Sequence, residues 1–212
     1  MQLTIQGTDG RQVPIDVNKK KLSQQKLQVF FDEEETQSKG KRKRFVGVLL
    51  MPAPPETVWS VLCNFDVMGD YIPYLAYYKT RHVLKTDDSG QTTEALIEGK
   101  LKVPVLTVEY TLFVSFFPDR YRVEWRLLQE EQVAQYNQQG LDIKACTGGL
   151  KDVDGYGYVL PYDDDRSQSI YIYAPVVETS IPLPGFAEKM VTKTVTTGYM
   201  HGIRDRVKQI SK

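Results

Sequence analysis

Side chains able to do chemistry are few in this chain, and their spacing limits what they could do. There are two histidines, His82 and His201, and two cysteines, Cys63 and Cys146. The cysteines form no CxxC and no Cys/His ligand spacing, so they read as reduced thiols packed as small hydrophobes. His82 sits between Arg81 and Val83 in a strand-like run, with its facing open. His201 falls about 120° from the centre of a helical apolar stripe, at its border or exposed. Glu109 and Glu124 could in principle form an acid–base pair, but the strand pattern turns both outward beside arginines. The DVDG of Asp152–Gly155 opens like a calcium loop without the remaining ligands or the closing glutamate, and reads as a hairpin turn. Asp163, Asp164 and Asp165 read as a solvated acidic turn. No Ser-His-Asp, metal-ligand or phosphate-loop pattern is present, and neither a metal nor a cofactor is expected. Tyrosine is what the chain has in quantity, with thirteen against eight phenylalanines. Rings with a polar tip suit a partly hydrated pocket, and they suit strands as well.

The elements that would position those rings follow from the pattern. At 212 residues, 41% hydrophobic and 25% charged, the chain has the composition of an ordinary globular protein. Zero net charge argues against general binding to nucleic-acid backbones. The opening MQLTIQGTDGRQ lacks the basic and apolar regions of a signal peptide, and no apolar run reaches a membrane span, so a cytoplasmic location is expected. LTIQG and VPID could be short strands around Asp9-Gly10, in an arm that either packs on the domain or hangs loose. Strands are predicted at 27–31 and 44–51, joined by DEEETQSKGKRK, whose acidic and basic ends could pair across a hairpin. Lys41 to Arg44 are read as a solvated turn.

Pro52 to Asn64 predicts a helix with prolines in its first turn and Val58, Trp59 and Leu62 buried. A short second helix follows, with Asp66 as candidate N-cap, ending before Pro73. Strands then dominate to Val177. Those at 108–116 and 121–128 flank a turn at Pro118-Asp119, which would set Leu112 opposite Trp125 and Thr111 opposite Arg126. Val108, Tyr110, Leu112, Val114, Phe116, Tyr121, Val123, Trp125 and Leu127 then share an inward face. Glu109, Thr111, Ser115, Arg122, Glu124 and Arg126 form the other, read as a solvent surface. Residues 129–140 read as a loop or edge, with strands before Gly148-Gly149, after Asp154-Gly155 and at 169–179. After Pro182, Pro184 and Gly185 comes an amphipathic helix with a stripe of Ala187, Val191, Val195, Gly198, Tyr199, Gly202, Ile203 and Ile210. Gly198 and Gly202 are expected where the sheet comes closest, and such a helix needs a sheet to lie on.

RFVGVLLMPAPPETVWSVLCNFDVMGDYIPYL resembles the opening of the helix-grip superfamily, the SRPBCC or START-like group. That group covers lipid-transfer START domains, the birch-pollen allergen type, polyketide cyclase/dehydrase proteins and coenzyme Q-binding relatives. The resemblance rests on Pro52-Ala53-Pro54, Val58-Trp59, Phe65-Asp66 (in reversed order) and Tyr71-Ile72-Pro73. The pre-helix prolines and long closing helix resemble the same group, and the likeness covers residues 42–212. It implies an α+β helix-grip fold, with about seven antiparallel strands wrapped around the C-terminal helix and two short helices after the first strand. Residues 1–25 would be an extension and 26–212 a single ligand-binding domain.

The function implied is binding or transport of a hydrophobic small molecule, such as a lipid, sterol, quinone or polyketide, between sheet and helix. Tyr71, Tyr74, Tyr77, Tyr110, Leu112, Val123, Trp125, Met190 and Tyr199 are the expected ligand contacts, with Tyr78 also at the tyrosine-rich entrance. A cyclase or dehydratase using His201, His82 or a tyrosine is the weaker alternative. A protein-assembly factor working through the N-terminal arm and the GKRKR cluster is another. The expected partners are the apolar ligand and, transiently, a membrane surface, but no nucleic acid.

Overall fold

The computed structural model describes residues 1–35, 41–103, 106–162, 164, 166–179 and 185–211, with the side chains of 34–35, 41–43, 106 and 185–193 outside that description. Strands β1 (Gln2–Gln6) and β2 (Gln12–Asp16) form a hairpin, followed by the short helix α1 (Lys19–Ser23). Next come β3 (Gln28–Glu35), β4 (Lys41–Met51), α2 (Pro55–Cys63) and a 3-10 segment at Phe65–Asp70. Then follow β5 (Leu75–Thr86), β6 (Thr92–Val103), β7 (Leu106–Phe117), β8 (Arg122–Leu127) and α3 (Glu130–Gln138). The chain closes with β9 (Leu150–Pro161), β10 (Ser169–Thr179) and α4 (Gly185–Ile210).

Among the described residues the main sheet has eight strands rather than about seven, all antiparallel, in the order β3-β4-β10-β9-β8-β7-β6-β5. Its concave face holds α2, the 3-10 segment and α4 around one core, which includes Leu49, Phe65, Leu112, Trp125, Met200 and Ile203. Where α4 meets β4, Met200 seats over Gly47, and a side chain at Gly47 would collide with it.

The outer face is covered too. The N-terminal hairpin and α1 lay Ile5, Ile15, Val17 and Leu22 over Val46, Val48, Leu50, Ile170 and Ile172. A second patch joins Leu96 and Leu128 to Val133 of α3 and Ile143 beyond it. Burial on both faces explains why VGVLL and SIYIYA read as continuous apolar runs, since alternation survives only where one face is wet.

Several local expectations change. The β7–β8 turn spans Pro118 to Tyr121, with Tyr121 in the left-handed region at φ 46°. Leu112 therefore faces Leu127, and Val114 faces Trp125. On the other face of this strand pair Thr111 and Arg122 are buried, Glu109, Ser115 and Glu124 are half-buried, and only Arg126 is exposed, so the face is partly covered rather than a solvent surface throughout. Residues 130–138 are helical, and Asp152–Gly155 lie inside β9 rather than in a turn. No described strand precedes Gly148 in the 139–149 connection. The acidic and basic ends of the 32–43 linker pair across a hairpin as expected, Glu33 opposite Lys43, but Lys41 to Arg44 are strand rather than a solvated turn. Arg44 is fully buried, bonded to the Ala174 carbonyl (2.8 Å) and Asp154 (2.6 Å). Asp66 does not cap the 3-10 segment; its carboxylate accepts from the Thr80 N–H at 2.7 Å. Asp163 and Asp165 lie outside the described residues.

Candidate ligand-binding cavity

A cavity of about 100 Å³ lies between α4 and the concave face of the sheet. β7 and β8 bring Tyr110, Leu112, Val123 and Trp125 to its floor, because alternate positions of paired strands share a face. β9 and β10 add Val153, Tyr173 and Val177, while α4 closes over it with Val195 and Tyr199. Phe65, Ile72 and Pro73 form an end wall with Tyr78 of β5.

Aromatic rings tie the two layers together. Trp125 stacks on Tyr173 at 5.4 Å and 27°, and Tyr173 stacks on Tyr199 at 4.4 Å and 18°. This column runs from β8 through β10 into the helix. Tyr78 and Tyr110 meet edge-on at 6.3 Å, with hydroxyl oxygens 3.1 Å apart. One hydroxyl donates to the other. The accepting hydroxyl keeps its own hydrogen, which has no further partner among the described residues and is free for a ligand oxygen.

Burial pushes the phenols of Tyr110, Tyr173 and Tyr199 well above their ordinary range and raises Tyr78 as well. Low-dielectric surroundings disfavour the phenolate, so each remains a neutral hydroxyl. No carboxylate, imidazole or amine lines the cavity among the described residues. His82 is opposite Leu96, whose side chain packs under α3, and so faces away. His201 is half-buried on α4 outside the lining, its pKa held below the usual value by burial and then by Arg204. Cys63 and Cys146 are free thiols, and burial pushes Cys63 up to about 12.

Of the residues expected to touch ligand, Tyr110, Leu112, Val123, Trp125 and Tyr199 come together around this cavity, whereas Tyr71, Tyr74 and Tyr77 do not line it. Tyr77 is turned outward by a register irregularity between Leu75 and Tyr77, and its hydroxyl donates to buried Glu98 at 2.8 Å. That irregularity hands the inward position to Tyr78. Tyr74 adopts a left-handed φ of 67° and points to solvent, leaving Pro73 and Leu75 as the lining. Tyr71 packs in the core beside the cavity; its buried hydroxyl makes no hydrogen bond among the described residues, and burial raises it to about 12. The side chain of Met190 lies outside the described residues. Phe65 and Tyr173 were not expected as lining. The alternation of Tyr171 and Tyr173 against Ile170 and Ile172 was the available signal for the second, masked by apolar residues on both faces.

The same fold recurs in solved structures. A START superfamily protein from Mycobacterium smegmatis superposes with a TM-score of 0.59 at 13% identity, covering 79% of this chain and 98% of that one. The Zhui aromatase/cyclase from Streptomyces sp. R1128 gives 0.59 at 12% identity, covering 80% and 95%. A STAR-related lipid transfer protein from Xanthomonas axonopodis gives 0.58 at 14% identity, covering 86% and 93%. The fold is the START-like helix grip. In sequence, no family model and no curated protein matches the chain. At these identities the likeness concerns architecture, and the START-like frame of this chain carries a two-part cover on its outer face. No helix among the described residues is long and apolar enough to cross a membrane.

Proposed function

We propose that the chain binds a neutral, largely apolar small molecule that carries an acceptor oxygen, in the cavity under α4. The observation that carries this reading is the Tyr78–Tyr110 pair, which offers one uncommitted O–H inside an otherwise hydrophobic enclosure. Apolar walls with a few polar groups that fix orientation are the usual composition of a small-molecule site. A STAR-related lipid transfer protein and an aromatase/cyclase among the structural neighbours support a hydrophobic ligand. Hydroxyls held neutral, with no base beside them in the described lining, favour binding over turnover. Pro73 and Val177 both line the cavity and are exposed, so its rim is apolar, which supports transient contact with a membrane surface.

Native mass spectrometry of the purified protein, with displacement of the neutral fluorophore N-phenyl-1-naphthylamine by aromatic ketones, tests the reading. The double substitution Tyr78→Phe with Tyr110→Phe removes both hydroxyls and keeps both rings. It should weaken ketone binding about five- to tenfold, the effect of one net hydrogen bond, while the fluorophore binds as before. Equal loss for both compounds, or for neither, would count against an oxygen-reading site.

A further inference from the structure

The cavity under α4 ends at Phe65, and a second one begins on the other side of that ring. Phe65 stands edge-on to Tyr78 (5.4 Å, 65°) and to Phe116 (5.9 Å, 86°). Tyr78 belongs to the first cavity, and Phe116 lines a second of about 280 Å³. The two lie along the same three strands. On β5, Tyr78 lines the first and Thr80 the second; on β6 it is Leu101 and Ala95; on β7, Leu112 and Phe116. Val114, fully buried in the same core, sits between the last two. Same-face neighbours on a strand are about 7 Å apart, so on β5 the two linings are one step apart, whereas Val114 on β7 and Ile97 and Gly99 on β6 stand between them. At the β5 edge Phe65 is the side chain that touches the lining of both.

Their characters differ. Trp59, Cys63, Ala95 and Phe116 give the second cavity apolar walls, and Thr80, Gln91 and Thr92 give it a polar end. The neighbouring Thr93, outside the lining, has a buried hydroxyl without a hydrogen-bond partner among the described residues. The first cavity alone is below the roughly 300–1,000 Å³ of typical ligand sites, and the two joined reach that range.

Building on the proposed ligand reading, we propose that Phe65 is a side-chain partition in one tunnel, and that the second cavity is the distal subsite for an elongated ligand. The ligand class is a molecule with an oxygen-bearing ring and a linear chain. Its ring lies with Tyr78, Tyr110 and Tyr173, its chain passes Phe65, and a polar chain end reaches Thr80, Gln91 and Thr92. Rotation of the Phe65 ring out of its edge-on seat opens the passage, with no backbone movement required.

The chain has two tryptophans, Trp125 in the first cavity and Trp59 in the second, so fluorescence reports each end. The probes are alkyl phenyl ketones with four- and twelve-carbon chains, bromine on the last two carbons, which quench indole on contact. In the Trp59→Phe protein, where Trp125 is the remaining indole, the short ketone should quench and the long one should not. In the wild-type protein the long ketone should quench the component that Trp59→Phe removes, at least twofold. Ala95→Phe fills the second cavity and should bring the long ketone's affinity down to that of the short one; the quenching result stands alone if that variant does not fold. A long ketone that binds but quenches only Trp125 would overturn the tunnel and leave the ligand reading intact. Failure of both ketones to bind would overturn the ligand reading and the tunnel with it.

Discussion

Tyr110, Tyr171, Tyr173 and Tyr199 are acids that the fold keeps protonated, because burial is the first cause of the upward shift at each. The sign of the consequence follows from linkage. A phenol whose folded pKa lies above its unfolded value, about 10, contributes stability fully present below pH 10 and lost as pH rises further. These groups should leave stability flat between pH 6 and 9 and make it fall steeply above 10. Phenolate absorbance near 295 nm, followed with urea midpoints at each pH, checks this. The buried tyrosines should titrate only together with unfolding, and their reversible ionisation near pH 10 in folded protein would sink the account. The same argument fixes their role in the cavity: across physiological pH they offer hydrogen-bond donors of constant strength, so ligand affinity should show no pH dependence there. A general base of ordinary pKa would impose one.

Helix α4 shows how packing separates two residues that look alike in sequence. Among its described residues the buried side chains are Thr196, Met200, Ile203 and Val207, spaced as one helical face, with Gly202 buried beside them. Gly198 and Gly202 flank that face and meet the segment after the 3-10 turn, not the sheet. A Cβ at Gly202 would lie 2.8 Å from the Tyr71 carbonyl oxygen, a backbone atom that cannot swing aside. One at Gly198 would make ordinary contact with Pro73 at 3.5 Å. Gly202→Ala should therefore destabilise by about 1–2 kcal/mol, overpacking outweighing helix propensity. Gly198→Ala should stabilise by about 0.5–1 kcal/mol through propensity alone. Urea unfolding reads both, and equal shifts in one direction would contradict the placement. The stripe legible in the sequence held Tyr199, Gly202 and Ile203 but also Ile210, which is exposed, and it left out Met200 and Val207. The helix touches sheet, α2 and Pro73 segment together, so its buried arc is displaced from the most apolar one. The β7–β8 faces were legible while the register was not: the turn is two residues longer, and an even slip leaves every side chain on its face. Helix α3 was hidden because Val133 is its sole buried residue. Gln132 accepting from the Gln129 N–H at 3.2 Å is the capping signature that could have revealed it. In the cavity, alternation marked β7 and β8, whereas Tyr77 and Tyr74 were displaced by a bulge and a left-handed residue that composition does not announce.

At the scale of the whole molecule the sheet separates two cores, and residues 1–25 supply the cover for one of them. Ile5, Ile15, Val17 and Leu22 are buried against the outer face, and each such side chain stabilises by about 1.5–3 kcal/mol relative to exposure. Polar contacts fix the placement. Gln28 accepts from the Asn18 N–H (2.8 Å) and donates to its carbonyl (3.0 Å), Arg122 donates to the Gln6 carbonyl (2.8 Å), and Arg11 pairs with Asp32 (2.8 Å). Ordering the segment costs roughly 1–2 kcal/mol per residue in backbone entropy, so the net gain is far smaller than the gross burial. Removing residues 1–25 should still lower stability by on the order of 5 kcal/mol, because it also uncovers Val46, Val48, Leu50, Ile170 and Ile172 and strips partners from Gln28 and Arg122. The truncated protein should self-associate and bind apolar dyes on its outer face. Ligand affinity of the fraction that stays folded should change less than about threefold, since the cavity belongs to the other core and distant, independent sites act additively. Urea unfolding, sedimentation and fluorophore displacement on one truncated sample separate these outcomes. An unchanged midpoint would mean a loose arm, free to recruit a partner. A lost midpoint with lost binding would mean that the two cores act as one, because the sheet between them transmits what happens on its outer face.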